Sequence, residues 1–322
     1  MYYLGIDVGG TNLVAGIVDQ DNRIIGTYKL KTTVPCAPEA FADDLVKTVY
    51  GVLKNLNLSL NDVPWVGVGC PGSVNPETGM VEYANNLFFE NLELERLLKE
   101  RLEGKEILLE NDANAAAYGE YVAGALKGAK NAVAITLGTG VGGGLIINHK
   151  IYSGSNYAGA ELGHTVIVSE GKPCTCGRLG CWESYASATG LIRMTKEHLE
   201  TAPADALIRT LIQEKNGKIS GRTAFDAMRE GCGVGRAIVD EYIRYLGEGI
   251  TNMINIFQPD VLCIGGGISN EGETLLAPLR AFVKTGQYAR HSSKHTVLCR
   301  AALGNDAGII GAAVLGLQNR GK

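Results

Sequence analysis

The sequence predicts an α/β protein with an internal duplication. A strand, a glycine-rich turn and a second strand follow one another over residues 2–18, and the same order returns over 131–148. Between and beyond these two hairpins, helical and strand-like segments alternate. A length of 322 residues fits about two domains, and 45% hydrophobic residues can fill a core in each.

Taken in order, residues 2–8 form a strand that runs into Asp7, Gly9, Gly10 and Thr11, and strands 13–18 and 24–30 flank a turn at 19–22. A glycine corner exposes several N–H groups in one concavity, which suits a phosphate. Asp7, at the strand end, can hold a magnesium ion or its water. A helix over 39–56 precedes an apolar strand over 65–70 that closes on Pro71, Gly72 and Ser73. Residues 83–87 read as a polar loop, followed by a helix over 92–102. A strand over 106–109 then leads to Asn111 and Asp112, where a helix over 113–125 begins. Binding groups of α/β proteins gather at the carboxyl ends of strands. Asp112 is equally suited to cap that helix.

The second glycine turn, 138–144, matches G-x-G-x-x-G through Gly138, Gly140 and Gly143. A dinucleotide fingerprint must open a helix. Residues 145–152 are β-like instead, so that reading is excluded, and no Walker sequence is present. Two such corners in corresponding places imply a nucleotide whose phosphates lie between them.

Residues 159–183 hold Cys174, Cys176, Cys181 and, upstream, His164. Three thiolates and one imidazole form a tetrahedral zinc set, and a disulfide across one intervening residue would be strained. Gly177 and Gly180 let the backbone turn the sulfurs inward. Four protein ligands make the metal structural, a staple that can aim Glu161 and Glu183. Helices over 189–200, 204–214, 224–230 and 235–257 follow, the last ended by Pro259. A strand over 260–264 enters Gly265, Gly266 and Gly267, where the backbone could lie flat against a ligand ring. A helix over 273–285, a polar surface loop with His291 and His295, a strand over 296–301 and a helix over 306–317 complete the chain.

A net charge of −4 without any basic run argues against a nucleic-acid surface. The start, MYYLGIDVGG, predicts no secretory signal, and the longest apolar run, 307–317, is too short to span a bilayer. Eight cysteines in a chain of this length, three of them with metal spacing, fit a reducing cytoplasm.

These motifs together resemble the ROK family (repressors, open reading frames and kinases), most closely its bacterial ATP-dependent glucokinase branch. The likeness runs through DVGGT at 7–11, GCPG at 69–72, ENDANAAA at 110–117, LGTGVGGG at 137–144, GAELGH at 159–164, CTCGRLGCWE at 174–183 and GGG at 265–267. The resemblance implies a ribonuclease-H-like (actin-like ATPase, sugar kinase) fold of two α/β domains with the active site in a cleft between them. The small domain would comprise 1–112 plus 303–322, and the large domain, carrying the zinc loop, 113–302. The implied reaction is phosphorylation of a hexose by ATP with Asp112 as general base, glucose to glucose 6-phosphate being the first expectation. Asp7, Gly9, Gly10, Thr11 and Asn12, with Gly138, Thr139 and Gly140, would meet the phosphates and magnesium, and Gly265, Gly266 and Gly267 the adenosine. Gly72, Asn85, Asn111, Asp112, Glu161, His164 and Glu183 would meet the sugar, with Asn86 competing for the place of Asn85. His164 would also join Cys174, Cys176 and Cys181 on zinc. The alternatives are a kinase for mannose, fructose, allose or an N-acetylhexosamine, and a sugar-sensing regulator without catalysis. A ROK repressor would carry a helix-turn-helix module ahead of the first strand. Relatives imply a cytoplasmic homodimer or tetramer with neither nucleic-acid nor membrane partners.

Overall fold

Asp7 and Asn111 are far apart in the chain, and a sheet brings their strand ends together. Residues 1–318 are described by the structure, a computed structural model. Strands β1 (Tyr3–Val8), β2 (Asn12–Val18) and β3 (Ile24–Lys31) make an antiparallel meander. Helix α1 (Pro38–Asn55) leads to β4 (Val66–Cys70), which returns parallel to β1. A small antiparallel layer follows, made of β5 (Ser73–Asn75), β6 (Met80–Ala84) and β7 (Phe89–Leu92). Helix α2 (Leu94–Arg101) then connects to β8 (Ile107–Asn111), parallel to β4, and α3 (Asp112–Ala123) starts without a gap. The sheet order is β3-β2-β1-β4-β8. Every residue of β4 is buried, as a parallel strand covered on both faces must be. The register sets Asp7, Gly69 and Glu110 in one row across β1, β4 and β8.

The chain continues through β9 (Ala132–Leu137), β10 (Val141–Ile147) and β11 (Lys150–Ile151). After the cysteine loop come α4 (Glu183–Ala186), α5 (Ala188–Thr201), α6 (Leu207–Glu214), α7 (Thr223–Arg229) and α8 (Gly233–Phe257). Strand β12 (Val261–Gly265), α9 (Glu273–Gly286), β13 (Val297–Arg300) and α10 (Asp306–Ala313) follow. The second sheet has the order β11-β10-β9-β12-β13. Its first two long strands reproduce the β1-turn-β2 hairpin, as the duplicated sequence pattern requires.

By contacts the chain divides into two compact units. The first comprises 1–134, 144–160 and the carboxyl segment from residue 302, and the second 135–143 and 161–301. The sequence reading sets the boundary at residue 112, whereas by contacts α3, the chain to residue 134 and residues 144–160 group with the first unit. The cause is α10. Its small residues let it approach backbone to backbone: a Cβ on Gly67 would meet the Ala312 carbonyl oxygen at 1.8 Å, and one on Gly311 the Ala115 carbonyl oxygen at 1.7 Å. Helix α3 is therefore packed into the first unit through α10, and Trp65 donates its indole N–H to the Ala313 carbonyl at 2.7 Å. Of the expected carboxyl-terminal part of the small domain, residues 319–322 lie outside the described residues.

Three further expectations change in detail. The polar loop at 83–87 is the end of β6 and a 3₁₀ turn, Asn85–Leu87, within the β5-β6-β7 layer. Strand β10 begins at Val141, so Gly142, Gly143 and Gly144 lie in the strand rather than the turn. The last helix ends at Ala313 and continues only as a 3₁₀ turn, Leu315–Leu317.

Candidate active site

At the carboxyl edge of the first sheet, β8 ends on Asn111 and α3 opens on Asp112. The cap is Asn111, not Asp112. Its Oδ1 accepts the backbone N–H of Ala113 at 2.9 Å and of Asn114 at 3.1 Å, while its Nδ2 donates to the Gly72 carbonyl at 3.0 Å. Asp112 sits in the first helical turn, its Oδ1 sharing the Ala113 N–H at 2.9 Å, where the dipole favours a negative charge. Asp7 lies within its electrostatic reach. Burial first, and the charge of Asp112 second, push the Asp7 carboxyl up to about 6. Gly72 occupies the left-handed region at φ 101°, and a Cβ there would meet the Tyr83 carbonyl oxygen at 2.0 Å. That contact ties the strand end to β6, whose far end leads directly into Asn85. Asn85 and Asn86 are both exposed, and the Tyr83 hydroxyl donates to Asn85 Oδ1 at 3.2 Å.

The glycine corners separate into two kinds. Gly140 leaves room for Glu183, since a Cβ would lie 2.3 Å from Glu183 Oε2 and displace that carboxylate. Gly266 is required by its φ of 81° and by the Leu137 carbonyl oxygen, 2.3 Å from a Cβ. Gly10, Gly138 and Gly267 are different: a Cβ on any of them meets nothing within 4 Å, and none has a left-handed φ. The folded chain has no steric use for glycine at these three positions, and each leaves an open approach to backbone. The corners themselves are fixed. Gly9 N–H donates to the Asn12 carbonyl at 2.9 Å, Thr32 N–H to the Thr11 carbonyl at 3.0 Å and Gly138 N–H to the Gly140 carbonyl at 3.0 Å. The Thr189 hydroxyl donates to the Thr139 carbonyl at 2.8 Å.

In the second unit, His164, Cys174, Cys176 and Cys181 each bring one donor atom to within 4.8 Å of all the others. His164 Nδ1 lies 3.5 Å from Cys174 Sγ, and Cys176 Sγ lies 3.6 Å from Cys181 Sγ. A tetrahedral zinc ion with Zn–S bonds of about 2.3 Å spaces its ligands about 3.8 Å apart, so the donor set fits that ion. Gly177 and Gly180 turn the loop with φ of 88° and 80°. Cys181 is followed by Trp182, fully buried, whose indole N–H donates to the Tyr245 carbonyl at 3.0 Å and anchors the loop to α8. The imidazole's other nitrogen, Nε2, lies 4.0 Å from the Glu161 carboxylate. Glu183 starts α4 against the second glycine corner. Its Oε2 accepts the Val141 N–H at 3.0 Å, and its Oε1 lies 3.4 Å from the Thr175 hydroxyl.

Sequence reasoning left Glu110, Asn114 and Ser153 without a role. Glu110 is 7% exposed and Asn114 2% exposed, and they join across one turn of chain with Asn114 Nδ2 donating to Glu110 Oε1 at 3.0 Å. The spacing of Glu110 and Asn114, four residues apart across a strand-to-helix junction, was the available signal. No helix among the described residues is long and apolar enough to cross a membrane.

Comparison with known proteins places this geometry among relatives. The family model described as ROK family matches residues 3–319. The glucokinase of Streptomyces coelicolor is 36% identical over 313 residues, covering 97% of this chain and 96% of the relative. That of Thermotoga maritima is 36% identical over 312 residues, covering 96% and 95%. A crystal structure of a ROK family glucokinase from Streptomyces griseus, in complex with glucose and AMPPNP, matches with a TM-score of 0.81 at 36% identity, covering 98% of this chain and 99% of that one.

Proposed function

The chain belongs to the ROK family, and on that premise we propose that it transfers the γ-phosphoryl group of ATP to glucose, giving glucose 6-phosphate. Two carboxylates, Asp7 and Asp112, at the carboxyl edge of one sheet carry the reading. A sugar hydroxyl must lose its proton as it attacks. Asp112 is the general base: it stands at a helix start, and its neighbour Asn111 does the capping. A carboxylate kept ionised there is a mild base. Mild is enough, because phosphoryl transfer has a loose transition state in which positioning and charge neutralisation supply most of the acceleration. The open backbone at Gly10 and Gly138 suits the approach of phosphate oxygens, and that at Gly267 the adenosine. Burial and the charge of Asp112 raise the cost of ionising Asp7, which fits a magnesium ion at Asp7 that would offset the phosphate charge.

The sugar contacts proposed from the resemblance are Gly72, Asn85, Asn111 and Asp112, and Glu161, His164 and Glu183. Asn111 has limited capacity: Oδ1 is spent on two helix amides, so one Nδ2 hydrogen is what it can offer a hydroxyl. His164 has Nδ1 on the cysteine side and Nε2 toward Glu161. Zinc on His164, Cys174, Cys176 and Cys181 would fix that tautomer while leaving no open coordination position. Cysteine usage, with three of eight in metal-ligand spacing, supports a reducing, cytoplasmic setting. A homodimer is the default assembly, checked by light scattering, with a tetramer as the other outcome.

ATP consumption coupled to a panel of glucose, mannose, fructose, allose and N-acetylhexosamines tests the reading. Glucose is expected to be turned over far better than the others. Another hexose at the head of the panel reassigns the substrate, and no turnover with any of them defeats the proposal.

A further inference from the structure

Glu110 is a buried carboxylate with no cation against it among the described residues, two residues before the proposed base. Taking such a group out of water is costly unless hydrogen bonds replace the lost hydration. Its partners are all neutral donors. Oε1 accepts the Asn111 backbone N–H at 2.9 Å and Asn114 Nδ2 at 3.0 Å, and the Ser153 hydroxyl lies 3.4 Å from Oε2 and 3.5 Å from Oε1. Burial holds the Glu110 carboxyl above its ordinary range, opposed by those hydrogen bonds. Asn114 is itself buried, and its Oδ1 finds no donor among the described residues. The cluster therefore carries a cost in stability that packing an apolar side chain would avoid.

Its placement gives that cost a use. The strand register sets Glu110 in the same row as Asp7, with only Gly69 between them. A Cβ on Gly69 would lie 3.1 Å from Ala115 Cβ and 3.6 Å from Asp112 Cα, so the row faces the start of α3. One carboxylate thus holds the backbone of Asn111 before Asp112 and the side chain of Asn114 after it. Asn111 in turn caps α3 and reaches Gly72. On its other side is Ser153, which opens a loop closed by Gly159 N–H donating to the Ser153 carbonyl at 2.8 Å. Tyr157 and Ala160 in that loop hold left-handed φ of 58° and 66°, conformations that cost energy in non-glycine residues and persist where surroundings impose them. The loop ends one residue before Glu161.

We propose that Glu110 is a positioning residue for phosphoryl transfer: through Asn111, Asn114 and Ser153 it fixes the first turn of α3, and so the direction of the Asp112 carboxylate, against the loop that Ser153 opens. The inference builds on the kinase reading above, with Asp112 as base. Glu110 touches neither substrate nor nucleotide in this role. A displacement of the base on the order of 1 Å is enough to cost about a hundredfold in rate.

The test compares Glu110→Ala and Glu110→Gln in the full chain. In Glu110→Ala, kcat is expected to fall between about 10- and 100-fold with the ATP KM unchanged to within about twofold. Glu110→Gln keeps an oxygen for the two N–H donors and an amide that Ser153 can accept, and is expected to restore kcat to within about threefold. A folded Ala variant with wild-type kcat overturns the proposal, as does a Gln variant no better than Ala. Should the Ala variant not fold, Asn114→Ala cuts the same tie from the helix side, with the same expected kcat loss and the same overturning result. Amide hydrogen exchange separates this from the substrate assignment. Exchange across residues 111–115 should rise about tenfold or more in the Ala variant and return in the Gln variant, whatever sugar is used. Unchanged exchange sinks the positioning role even if glucose is phosphorylated. A wild-type chain that phosphorylates no hexose, but shows the exchange pattern, sinks the kinase reading and leaves the tie in place.

Discussion

Asn111 and Asp112 are neighbours with nearly the same capacity to cap a helix, and the fold gives them different work. Asn111 takes the cap and Gly72, and Asp112 keeps its carboxylate in the first turn. Asp112→Asn should therefore leave the helix start intact and sugar affinity little changed while kcat falls by about 10² or more. Steady-state turnover near wild type would remove Asp112 from the role of base. Gly138 provides a second residue-scale test, because its Cβ position is empty and its φ ordinary. Gly138→Ala is expected to change unfolding free energy by no more than about 0.5 kcal/mol. If a phosphate approaches that backbone, the ATP KM rises on the order of tenfold, the cost of about one amide contact. An unchanged KM means the corner does not hold the nucleotide. Neither distinction was visible in the sequence: both Asn and Asp cap helices, and glycine at 138 and 140 looks alike until the neighbours of each are known.

At the scale of elements, the apolar strands were legible, and the β5-β6-β7 layer was not. Strand β4 is fully buried and reads as an apolar run, whereas β6 has exposed Glu82 and Tyr83 in its middle and β5 is three residues long. Short, half-polar strands carry too little alternation to separate them from a loop. Helix α10 was legible as a helix but not as an interior one. Its glycines and alanines are needed because backbone touches backbone, so Gly67→Ala should destabilise the first unit by about 3 kcal/mol, the upper range for overpacking. A shift in urea midpoint worth under about 1 kcal/mol would show that α10 can move aside. The cysteine loop makes the converse case, since ligand spacing was read directly from the sequence and the four donors converge. On the zinc reading proposed above, Cys176→Ser should lower the zinc content and raise the sugar KM, because Glu161 and Glu183 flank the loop and His164 belongs to it. Metal analysis alongside kinetics checks this, and normal sugar binding without metal would refute the aiming role.

Across the whole molecule, the site opposes stability. Asp7 is held at about 6 against an ordinary value of 3.8. A carboxyl raised by folding binds its proton more tightly when folded. Its contribution to stability is thus complete below 3.8 and is lost as pH rises through about 6. Asp7→Asn removes that loss. In magnesium-free buffer near pH 8 (~8), the variant should be more stable than wild type by up to about 3 kcal/mol, the gap closing toward about pH 4. Urea unfolding of the first unit measures it, and a gap independent of pH would mean that burial of Asp7 is not what raises it. Catalysis in this reading uses the ionised form of a group whose ionisation the fold disfavours, a common trade at functional sites.

The sequence by itself determined the α/β class, the duplicated hairpin, the family and the clustering of three cysteines with His164, because alternation, glycine corners and cysteine spacing are local and each follows from neighbouring residues. Only the tertiary structure decided which of two adjacent residues caps α3, which glycines face open space, and that α3 belongs with the first unit. It also brought Glu110 into a row with Asp7. Those are matters of register and packing between segments far apart in the chain, where the outcome depends on which atoms meet and not on the identity of either segment alone.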